Sequence, residues 1–541
     1  MLNVPYGTAV EFAPKTQYHK RKGIFERSTT LSDMPARYNV LSLFSGCGGL
    51  DLGFAQAGAE SLDLEVCEDG KRQPKGKFFE ILWANDIYSP SCKTHSTNFG
   101  AELYEKPEQP YKGIPRLFQG DIAKILFENA VDREKIDVIL GGFPCQDFSV
   151  IRGVDKRLGV EVKRGRLYCH FVRALATLQP AIFVAENVKG LVSANGGRAY
   201  KWILQDFGNL NIRWNEIEAE SIDQSFEKEP VSSTKLEGYR IIFSGVLNFK
   251  NFGVPQARER LIIIGLRKDL IHCLDNMVSF ELAFQKKLKQ GKGNLSLFPL
   301  SPIESLKGDT LSNLQNYYER LFSGLSERIE EINSARKLEY CQKIWPKYKR
   351  DIWQDYFWFN QNGNGNGKHQ LVFAINRELI TKERLIEKEH KKILLELGFY
   401  KKPVDEIGEL EDKSNAILSE QQSVKDRMSH IPFGENHEFV RDTKYHVSGL
   451  MSNIYRRIHP LRPSPTVIAR GGGGTWGYHY AQDRQKLTNR ERARLQTFPD
   501  SFIFEGNPGE VRRQIGEAVP PLAGKFIAES IVKLLDKLDF S

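Results

Sequence analysis

The stretch Ile136-Asp-Val-Ile-Leu-Gly-Gly-Phe-Pro-Cys-Gln-Asp-Phe-Ser149 decides the fold of this chain and locates its chemistry. The first five residues are typical of a buried strand, and the glycines and proline after them fix a turn that contains Cys145. Loops at the carboxyl ends of parallel strands line the crevice of an open sheet. The stretch therefore predicts an α/β fold with a candidate nucleophile at the strand ends.

Other strand-like runs surround this stretch. Residues 38–44, 79–84 and 181–185 are rich in β-forming side chains, and 167–178 has a helical pattern. Such alternation predicts parallel strands joined by crossover helices. Two further β-rich runs, at 240–247 and 261–266, predict a hairpin that closes the sheet. Apolar residues at helical spacing in 523–538 predict a helix that packs back on the first domain.

Length and composition exclude several classes of protein. The 541 residues, 40 % of them hydrophobic, are enough for a sizeable core and two lobes. The seven cysteines are odd in number and form no C-x-x-C pair, which argues against a disulfide framework and a metal site. Without a long apolar run or a signal-peptide pattern, we expect a soluble intracellular protein. The net charge of +9 is compatible with a polyanionic partner but does not establish one.

The texture of the chain changes after about residue 270. Long charged helical patterns occupy 312–340 and 378–397, on either side of the low-complexity linker Asn360-Gln-Asn-Gly-Asn-Gly-Asn-Gly-Lys368. Residues 271–450 contain 27 basic and 26 acidic side chains, so the positive excess lies almost wholly elsewhere. We expect a second domain at 270–455.

A glycine turn, Phe44-Ser-Gly-Cys-Gly-Gly-Leu50, follows the first strand and opens a helix. Glycines let the main chain approach a ligand closely, and the helix start offers free amides. The third glycine of a dinucleotide motif is missing because position 51 is aspartate, which indicates an adenosyl compound without pyrophosphate. Asp86 would accept the ribose hydroxyls, Ile87 would lie on the adenine, and Asp121 would take its amino group. Each acid alone is more often a helix cap or a solvated loop residue, but together, in chain order after the glycine turn, they predict a pocket.

Cys145 has companions at the neighbouring strand ends. A lone cysteine is usually a small buried hydrophobe, but Glu186-Asn-Val188 ends the next strand and Gln256-Ala-Arg-Glu-Arg260 begins the last one. A thiol, a carboxylate and a guanidinium that converge in one crevice suggest a reaction at an electron-poor heterocycle.

Six ordered motifs carry a resemblance to a known family. They are Leu43-Phe-Ser-Gly-Cys-Gly-Gly-Leu-Asp-Leu-Gly53, Gly142-Phe-Pro-Cys-Gln146, Glu186-Asn-Val188, Gln256-Ala-Arg-Glu-Arg260, Arg462-Pro-Ser-Pro-Thr466 and Gly516-Glu-Ala-Val-Pro520. Over residues 38–266 and 456–541 the chain resembles the DNA (cytosine-5)-methyltransferases. The resemblance implies a Rossmann-like, S-adenosylmethionine-dependent methyltransferase sheet with an inserted target-recognition domain.

The resemblance also implies an organisation and partners. We expect an N-terminal arm at 1–37, a catalytic and cofactor-binding domain at 38–269, a target-recognition domain at 270–455, and the C-terminal part of the catalytic domain at 456–541. The expected partner is double-stranded DNA, methylated by a monomer in the bacterial cytoplasm at the nucleoid. A cognate restriction endonuclease would act separately.

The implied chemistry gives each residue type a role. The Cys145 thiolate adds to carbon 6 of cytosine so that carbon 5 can attack the methyl group. Glu186 donates a hydrogen bond or a proton to ring nitrogen 3, and Arg260 binds the ring carbonyl and stabilises its negative charge. Arg258 organises the loop or binds a phosphate. S-adenosylmethionine becomes S-adenosylhomocysteine, and the target base is flipped out of the duplex.

Further positions take roles by the same resemblance. The implied cofactor contacts are Phe44, Gly46, Gly48, Leu50, Asp86, Ile87, Asp121, Pro144, Leu167 and Ala518. The implied contacts to the target nucleotide are Gln146, Ser149, Asn187 and Thr466.

Two departures and three alternatives accompany this hypothesis. The chain has an additional charged loop at 65–77 before Asp86, and it has Glu517 where the family commonly has asparagine. A tRNA cytosine methyltransferase would share the catalytic motifs, but the long insert favours readout of duplex DNA. The catalytic set disfavours a non-catalytic DNA-binding relative, and the missing third glycine disfavours an NAD-linked oxidoreductase.

Overall fold

The computed structural model describes residues 37–57, 63–66, 72–75, 78–106, 115–127, 131, 136–144, 167–210, 237–296, 298–314, 316–318, 320–321, 385–441, 443–447, 454–470, 474–475 and 477–538. Cys145, Gln146 and Ser149 lie outside these residues. The same is true of the predicted N-terminal arm, the linker at 360–368 and most of the helical pattern at 312–340.

Strands dominate the first half of the chain. They are β1 (Arg37–Leu43), β2 (Asp63–Val66), β3 (Arg72–Lys75), β4 (Phe78–Asp86), β5 (Glu102–Tyr104), β6 (Arg116–Gln119), β7 (Val138–Gly141), β8 (Ile182–Val188), β9 (Tyr239–Asn248), β10 (Gln256–Ala257), β11 (Glu259–Arg267) and β12 (Ser464–Pro465). Eight of them form one sheet in the order β5-β6-β4-β1-β7-β8-β11-β9. Neighbours are parallel except at β11, which pairs antiparallel with β8 and β9. The predicted parallel α/β sheet and its closing antiparallel pair are confirmed.

Helices cover both faces of the sheet and build the second half of the chain. They are α1 (Gly49–Ala57), α2 (Ser89–Phe99), α3 (Tyr168–Leu178), α4 (Arg198–Asn209), α5 (Met277–Gln290), α6 (Pro302–Lys307), α7 (Gln422–Ser429), α8 (Asn489–Leu495), α9 (Pro508–Glu517) and α10 (Pro521–Leu538). Residues 385–396 are also helical. Short 3-10 turns occupy Ile122–Lys124, Lys189–Gly197, Phe249–Phe252, Lys268–Cys273, Gly293–Ser296 and His437–Val440.

The sheet lies between two apolar layers, which together are called the first core. One face packs against α1, α5 and α10, and the other packs against α3 and α4. The contact of α1 with α10 is unusually close, because a Cβ atom built on Gly53 would lie 2.4 Å from the Pro521 carbonyl oxygen. The predicted C-terminal helix therefore does pack on the first domain.

A second core lies outside the sheet. It joins residues 303–318, 404–440 and 458–515, while 385–399 and 519–538 pack into the first core with α5. The predicted segments 270–455 and 456–541 each contribute residues to both cores, and the boundaries at 270 and 456 stay predictions. Apolar periodicity identifies the buried face of a helix but not the core that the face joins.

None of the helices that the structure describes is long and apolar enough to cross a membrane.

Candidate active site at the carboxyl ends of the strands

The glycine turn leaves β1 at the carboxyl edge of the sheet. Phe44, Gly46 and Gly48 have φ of 53°, 55° and 87°, a backbone conformation that costs glycine little but strains a residue such as Phe44. The Gly46 amide donates to Asp86 Oδ2 at 2.8 Å. The turn is therefore tied to the end of β4, as the predicted pocket requires.

Asp86 lies at the end of β4 and holds two loops. Its Oδ1 accepts the Tyr88 amide at 2.8 Å, in addition to the Gly46 bond. Burial raises the pKa of Asp86, although these amide hydrogen bonds act in the opposite direction. The next side chain, Ile87, is 70 % exposed, so an apolar surface faces outward beside the carboxylate.

Asp121 follows β6, the next strand along this edge. Its carboxylate accepts the Ala123 amide at 3.0 Å and caps the 3-10 turn, which is the structural role weighed against adenine binding. The Gly120 amide donates to the Asp86 carbonyl oxygen at 3.0 Å. The side chain remains exposed next to the Asp86 loop.

Glu186 and Arg260 come together at the ends of β8 and β11. Arg260 Nε lies 3.0 Å from Glu186 Oε1, and the two side chains are only 15 % and 12 % exposed. Burial raises the pKa of Glu186 above its ordinary value, while Arg260 and Arg258 oppose the shift. The carboxyl group therefore holds a proton to higher pH than an exposed glutamate does.

The turn that leads to Cys145 passes between these two sites. Gly141, the last residue of β7, pairs with Leu43 on one side and Ala185 on the other. A Cβ atom on Gly142 would lie 3.0 Å from Glu186 Oε2. The turn thus leaves the sheet between the glycine turn and Glu186, and Pro144 is its last described residue before Cys145.

Arg258 is buried behind this site. It is 1 % exposed, and its guanidinium donates to the carbonyl oxygens of Val467 at 3.3 Å and Gly516 at 3.0 Å. These bonds join the segment before β11 to two distant parts of the chain. The geometry matches loop organisation, one of the two roles considered for Arg258.

Two of the residues predicted to contact the target nucleotide make internal hydrogen bonds. Asn187 is buried and donates to the Phe143 carbonyl oxygen at 3.2 Å. Thr466 donates to the Ala257 carbonyl oxygen at 3.2 Å. These bonds position the Cys145 turn and the β10–β12 bridge.

The remaining cofactor candidates surround the glycine turn. A Cβ atom on Gly49 would lie 3.0 Å from Ala518 Cβ, so the α9–α10 junction packs on the turn. Leu167 is half-buried at the start of α3. Leu50 is buried against α10, which leaves its main chain rather than its side chain near the turn.

Two residues at the rim of this site, Tyr88 and Arg513, were not predicted from the sequence. The Arg513 guanidinium lies 4.0 Å from the centre of the Tyr88 ring and 3.0 Å from Glu517 Oε1. The i,i+4 spacing of Arg513 and Glu517 on a helix was the available sign. In the part of the chain that is described, no cluster of His, Cys, Asp and Glu side chains could hold a metal ion.

Comparison with known proteins adds independent findings. The family model described as C-5 cytosine-specific DNA methylase matches residues 38–533. The chain is 46 % identical over 510 residues to the DNA (cytosine-5-)-methyltransferase M.ApeKI of Aeropyrum pernix. This match covers 93 % of this chain and 99 % of that protein. The chain is 31 % identical over 507 residues to the type II methyltransferase M.NgoFVII of Neisseria gonorrhoeae, with 94 % and 89 % covered.

Proposed function

This chain belongs to the C-5 cytosine-specific DNA methylase family and is a DNA (cytosine-5-)-methyltransferase, and we propose that Cys145, Glu186 and Arg260 carry its reaction. The observation that supports this assignment is the Glu186–Arg260 pair, at 3.0 Å, with its carboxylate against Gly142. Glu186 and Arg260 therefore lie beside Gly142, which precedes Cys145 by three residues in the sequence.

The three side chains divide the work on the cytosine ring. The Cys145 thiolate adds to carbon 6, and the negative charge that develops on the ring is met by Glu186 at nitrogen 3 and Arg260 at the carbonyl oxygen. Because burial raises the pKa of Glu186, its carboxyl group keeps a proton to higher pH than an exposed glutamate does, which favours proton donation to nitrogen 3. After carbon 5 has taken the methyl group, loss of the carbon 5 proton restores the ring double bond as Cys145 leaves.

The cofactor side of the site fits an adenosyl compound. S-adenosylmethionine supplies the methyl group when it is bound. The Asp86 carboxylate accepts the Gly46 and Tyr88 amides and interacts with the Ile87 amide, and since a carboxylate offers about four acceptor positions, it retains capacity for a ribose hydroxyl. The exposed Ile87 side chain offers an apolar face for adenine. We assign the contacts to Phe44, Gly46, Gly48, Asp86, Ile87, Asp121, Pro144, Leu167 and Ala518, with the main chain of Leu50.

Arg258 acts as a positioning residue in this proposal. Its bonds to Val467 and Gly516 fix the start of β11, two residues before Arg260 projects into the base site. Asn187 supports the turn of Cys145 in the same way, through Phe143.

The target base must leave the duplex before it can react, because carbon 6 is covered by the stack. We assign residues 270–455, the predicted target-recognition domain, to recognition of the DNA sequence. We also propose that the protein acts as a monomer in the cytoplasm, at the nucleoid, and that a separate endonuclease shares its target. The alternatives of tRNA methylation and of non-catalytic DNA binding are not favoured, because the family and its relatives are DNA methyltransferases.

The deciding experiment incubates the protein with S-adenosylmethionine and unmethylated duplex DNA and maps 5-methylcytosine by conversion sequencing. We expect methylation at one short sequence, abolished in Cys145→Ala and retained in Cys273→Ala, a half-exposed control thiol. Retention of activity in Cys145→Ala would overturn the assigned nucleophile.

A second measurement isolates the covalent step. A duplex with 5-fluorocytosine at the mapped target has no carbon 5 proton to lose, so the Cys145 adduct should accumulate and survive denaturing electrophoresis. Glu186→Gln should form the adduct far more slowly while the protein still binds DNA. Equal rates for wild type and Glu186→Gln would remove the proposed role of this carboxyl group.

A further inference from the structure

Asp51 lies directly beneath the glycine turn and is bonded from two sides. Ser42 Oγ donates to its Oδ1 at 2.7 Å, and His95 Nε2 lies 2.9 Å from its Oδ2. Ser42, Asp51 and His95 are each no more than 1 % exposed. Each oxygen therefore contacts a different element, because Ser42 is the penultimate residue of β1 and His95 lies in the middle of α2.

This polar group is placed where the surrounding core is apolar. Leu50 and Phe54, on the same helix as Asp51, belong to the first core. Burial of a carboxylate costs several kcal/mol unless hydrogen bonds compensate. An apolar pair would fill this space at lower cost, so the group is better explained by a task than by stability.

The Asp51 group lies beneath the two loops of the proposed cofactor site. Ser42 comes just before the turn, and α2 begins three residues after Asp86, whose carboxylate bonds the Gly46 amide. Asp51 ties the same two elements from below. The turn is consequently fixed by two sets of hydrogen bonds. Asp86 bonds it at the surface that faces the ligand, and Asp51 joins Ser42 and His95 in the interior.

The His95 ring also packs against the main chain of the glycine turn. It stacks on Phe99 with ring centres 4.3 Å apart. A Cβ atom on Gly48 would lie 2.9 Å from the His95 ring and 2.5 Å from the Phe99 ring. The main chain of the turn rests on this stack, so movement of His95 would move the amides that face the ligand.

We propose that His95 is a positioning residue for the adenosyl cofactor and acts through Asp51. This inference rests on the proposed function, because it takes the turn and Asp86 as the cofactor site. The hydrogen bond, rather than the bulk of the ring, is the element that matters. Loss of the bond leaves the Asp51 carboxylate with an unmet acceptor and loosens α2 against the turn.

Two substitutions separate the bond from the packing. His95→Phe keeps the ring stacked on Phe99 but removes the donor to Asp51. His95→Gln removes the ring but keeps an amide NH2 that can reach the carboxylate. Ser42→Ala removes the other hydrogen bond to Asp51, and His437→Phe removes a buried histidine of the second core as a control.

The readout is the dissociation constant of S-adenosylhomocysteine by calorimetry, with DNA affinity measured without cofactor and the thermal midpoint as companions. We expect His95→Phe to bind the nucleoside about tenfold more weakly, with Ser42→Ala affected less and His95→Gln closest to wild type. DNA affinity should stay unchanged in all three, and His437→Phe should bind the nucleoside normally.

The outcomes discriminate between the two proposals. If wild type binds S-adenosylhomocysteine and a folded Asp86→Ala variant binds it equally well, the proposed cofactor site is wrong. If wild type binds and His95→Phe binds equally well, the inference about His95 is overturned. Parallel losses of nucleoside affinity, DNA affinity and thermal midpoint in His95→Phe and His95→Gln would also overturn it, because they would indicate a general structural role.

Discussion

In the first core, eight strands satisfy one another's main-chain groups, and the side chains between the layers are almost all apolar. In the second core the described elements are short, and buried arginines take over part of that task. Arg457 donates to the carbonyl oxygens of Met428, Ile431, His479, Ala481 and Arg484. The difference shows that a buried guanidinium can satisfy main-chain carbonyl oxygens where no neighbouring strand supplies the donors.

Arg490 and Arg494 repeat the arrangement. Arg490 donates to the carbonyl oxygens of Pro499 and Phe502 and pairs with Asp412. Arg494 donates to the carbonyl oxygen of Ser305 and pairs with Asp500. A guanidinium presents five N–H groups and stays charged, which suits it to several carbonyls at once. Because these arginines satisfy carbonyl oxygens, the second core can contain long loops without leaving their main-chain groups unpaired.

The largest expected effect comes from Arg457→Met, which fills similar volume but donates nothing. The carbonyl oxygens that Arg457 serves would lose a buried donor, and we expect the free energy of unfolding of the second core to fall by about 4 kcal/mol. Hydrogen exchange resolved by segment would locate the loss at 428–431 and 479–484. Arg457→Lys should recover little, since one ammonium cannot span these acceptors.

The matched change in the first core is Ile263→Val, at a fully buried position of β11. It should cost about 1 kcal/mol, because one methylene is removed and no polar group is exposed. If Arg457→Met cost no more than Ile263→Val in urea unfolding, the proposed division of labour between the cores would fail.

Gly53→Ala tests whether the first core depends only on its strands. A Cβ atom at this position would meet the Pro521 carbonyl oxygen at 2.4 Å and the Lys525 amide nitrogen at 2.5 Å. Since both contacts are main chain and cannot swing away, we expect a loss of about 2 kcal/mol in unfolding free energy.

Gly208→Ala is the control for Gly53→Ala. Gly208 lies in α4, and its Cβ atom would be 3.8 Å from the nearest atom, the Tyr239 carbonyl oxygen. The substitution should stabilise the protein by about 0.5 kcal/mol through helix propensity. Equal effects of the two alanines would mean that α1 and α10 separate without cost.

A smaller effect, visible only as a pH dependence, is expected where the chain crosses between the cores. His390 Nδ1 lies 2.9 Å from Glu304 Oε1, and both side chains are buried. Burial lowers the pKa of His390, but the charge and hydrogen bond of Glu304, together with the hydrogen bond to the Phe298 carbonyl oxygen, raise it by more, so the pKa lies above its ordinary value. The folded state thus holds this proton more tightly, and the stability gained is complete at low pH and is lost as pH rises through the folded-state pKa.

Thermal unfolding of wild type and His390→Gln, scanned from about pH 5.5 to about pH 8.5, measures this linkage. The advantage of wild type should be greatest at the acidic end and shrink toward the alkaline end. A difference that is constant with pH would show that the protonated pair does not hold the crossing.

The sequence predicted the first core better than the second, for a physical reason. Buried parallel strands such as β7 and β8 are continuous apolar runs, and residues at their carboxyl ends converge, so the meeting of Glu186 and Arg260 followed from chain order. The acceptors of Arg258 and Arg457 are carbonyl oxygens, which every residue has. No pattern in the sequence marks which carbonyls will face a buried arginine, and the same holds for the Asp51–His95 contact.

The smallest expected effect belongs to the exposed ion pair at the rim of the active site. Arg513 and Glu517 are paired at 3.0 Å with side chains 29 % and 48 % exposed, unlike Arg490 and Asp412, which are 1 % and 2 % exposed. Because solvent screens an exposed i,i+4 pair, Glu517→Gln should change the unfolding free energy by about 0.5 kcal/mol or less. Asp412→Asn, measured in the same urea titrations, should cost several times more, because Arg490 would remain buried and charged. If the two substitutions cost the same, charge would matter at the rim as much as in the interior, and the contrast between the cores would rest on their carbonyl contacts alone.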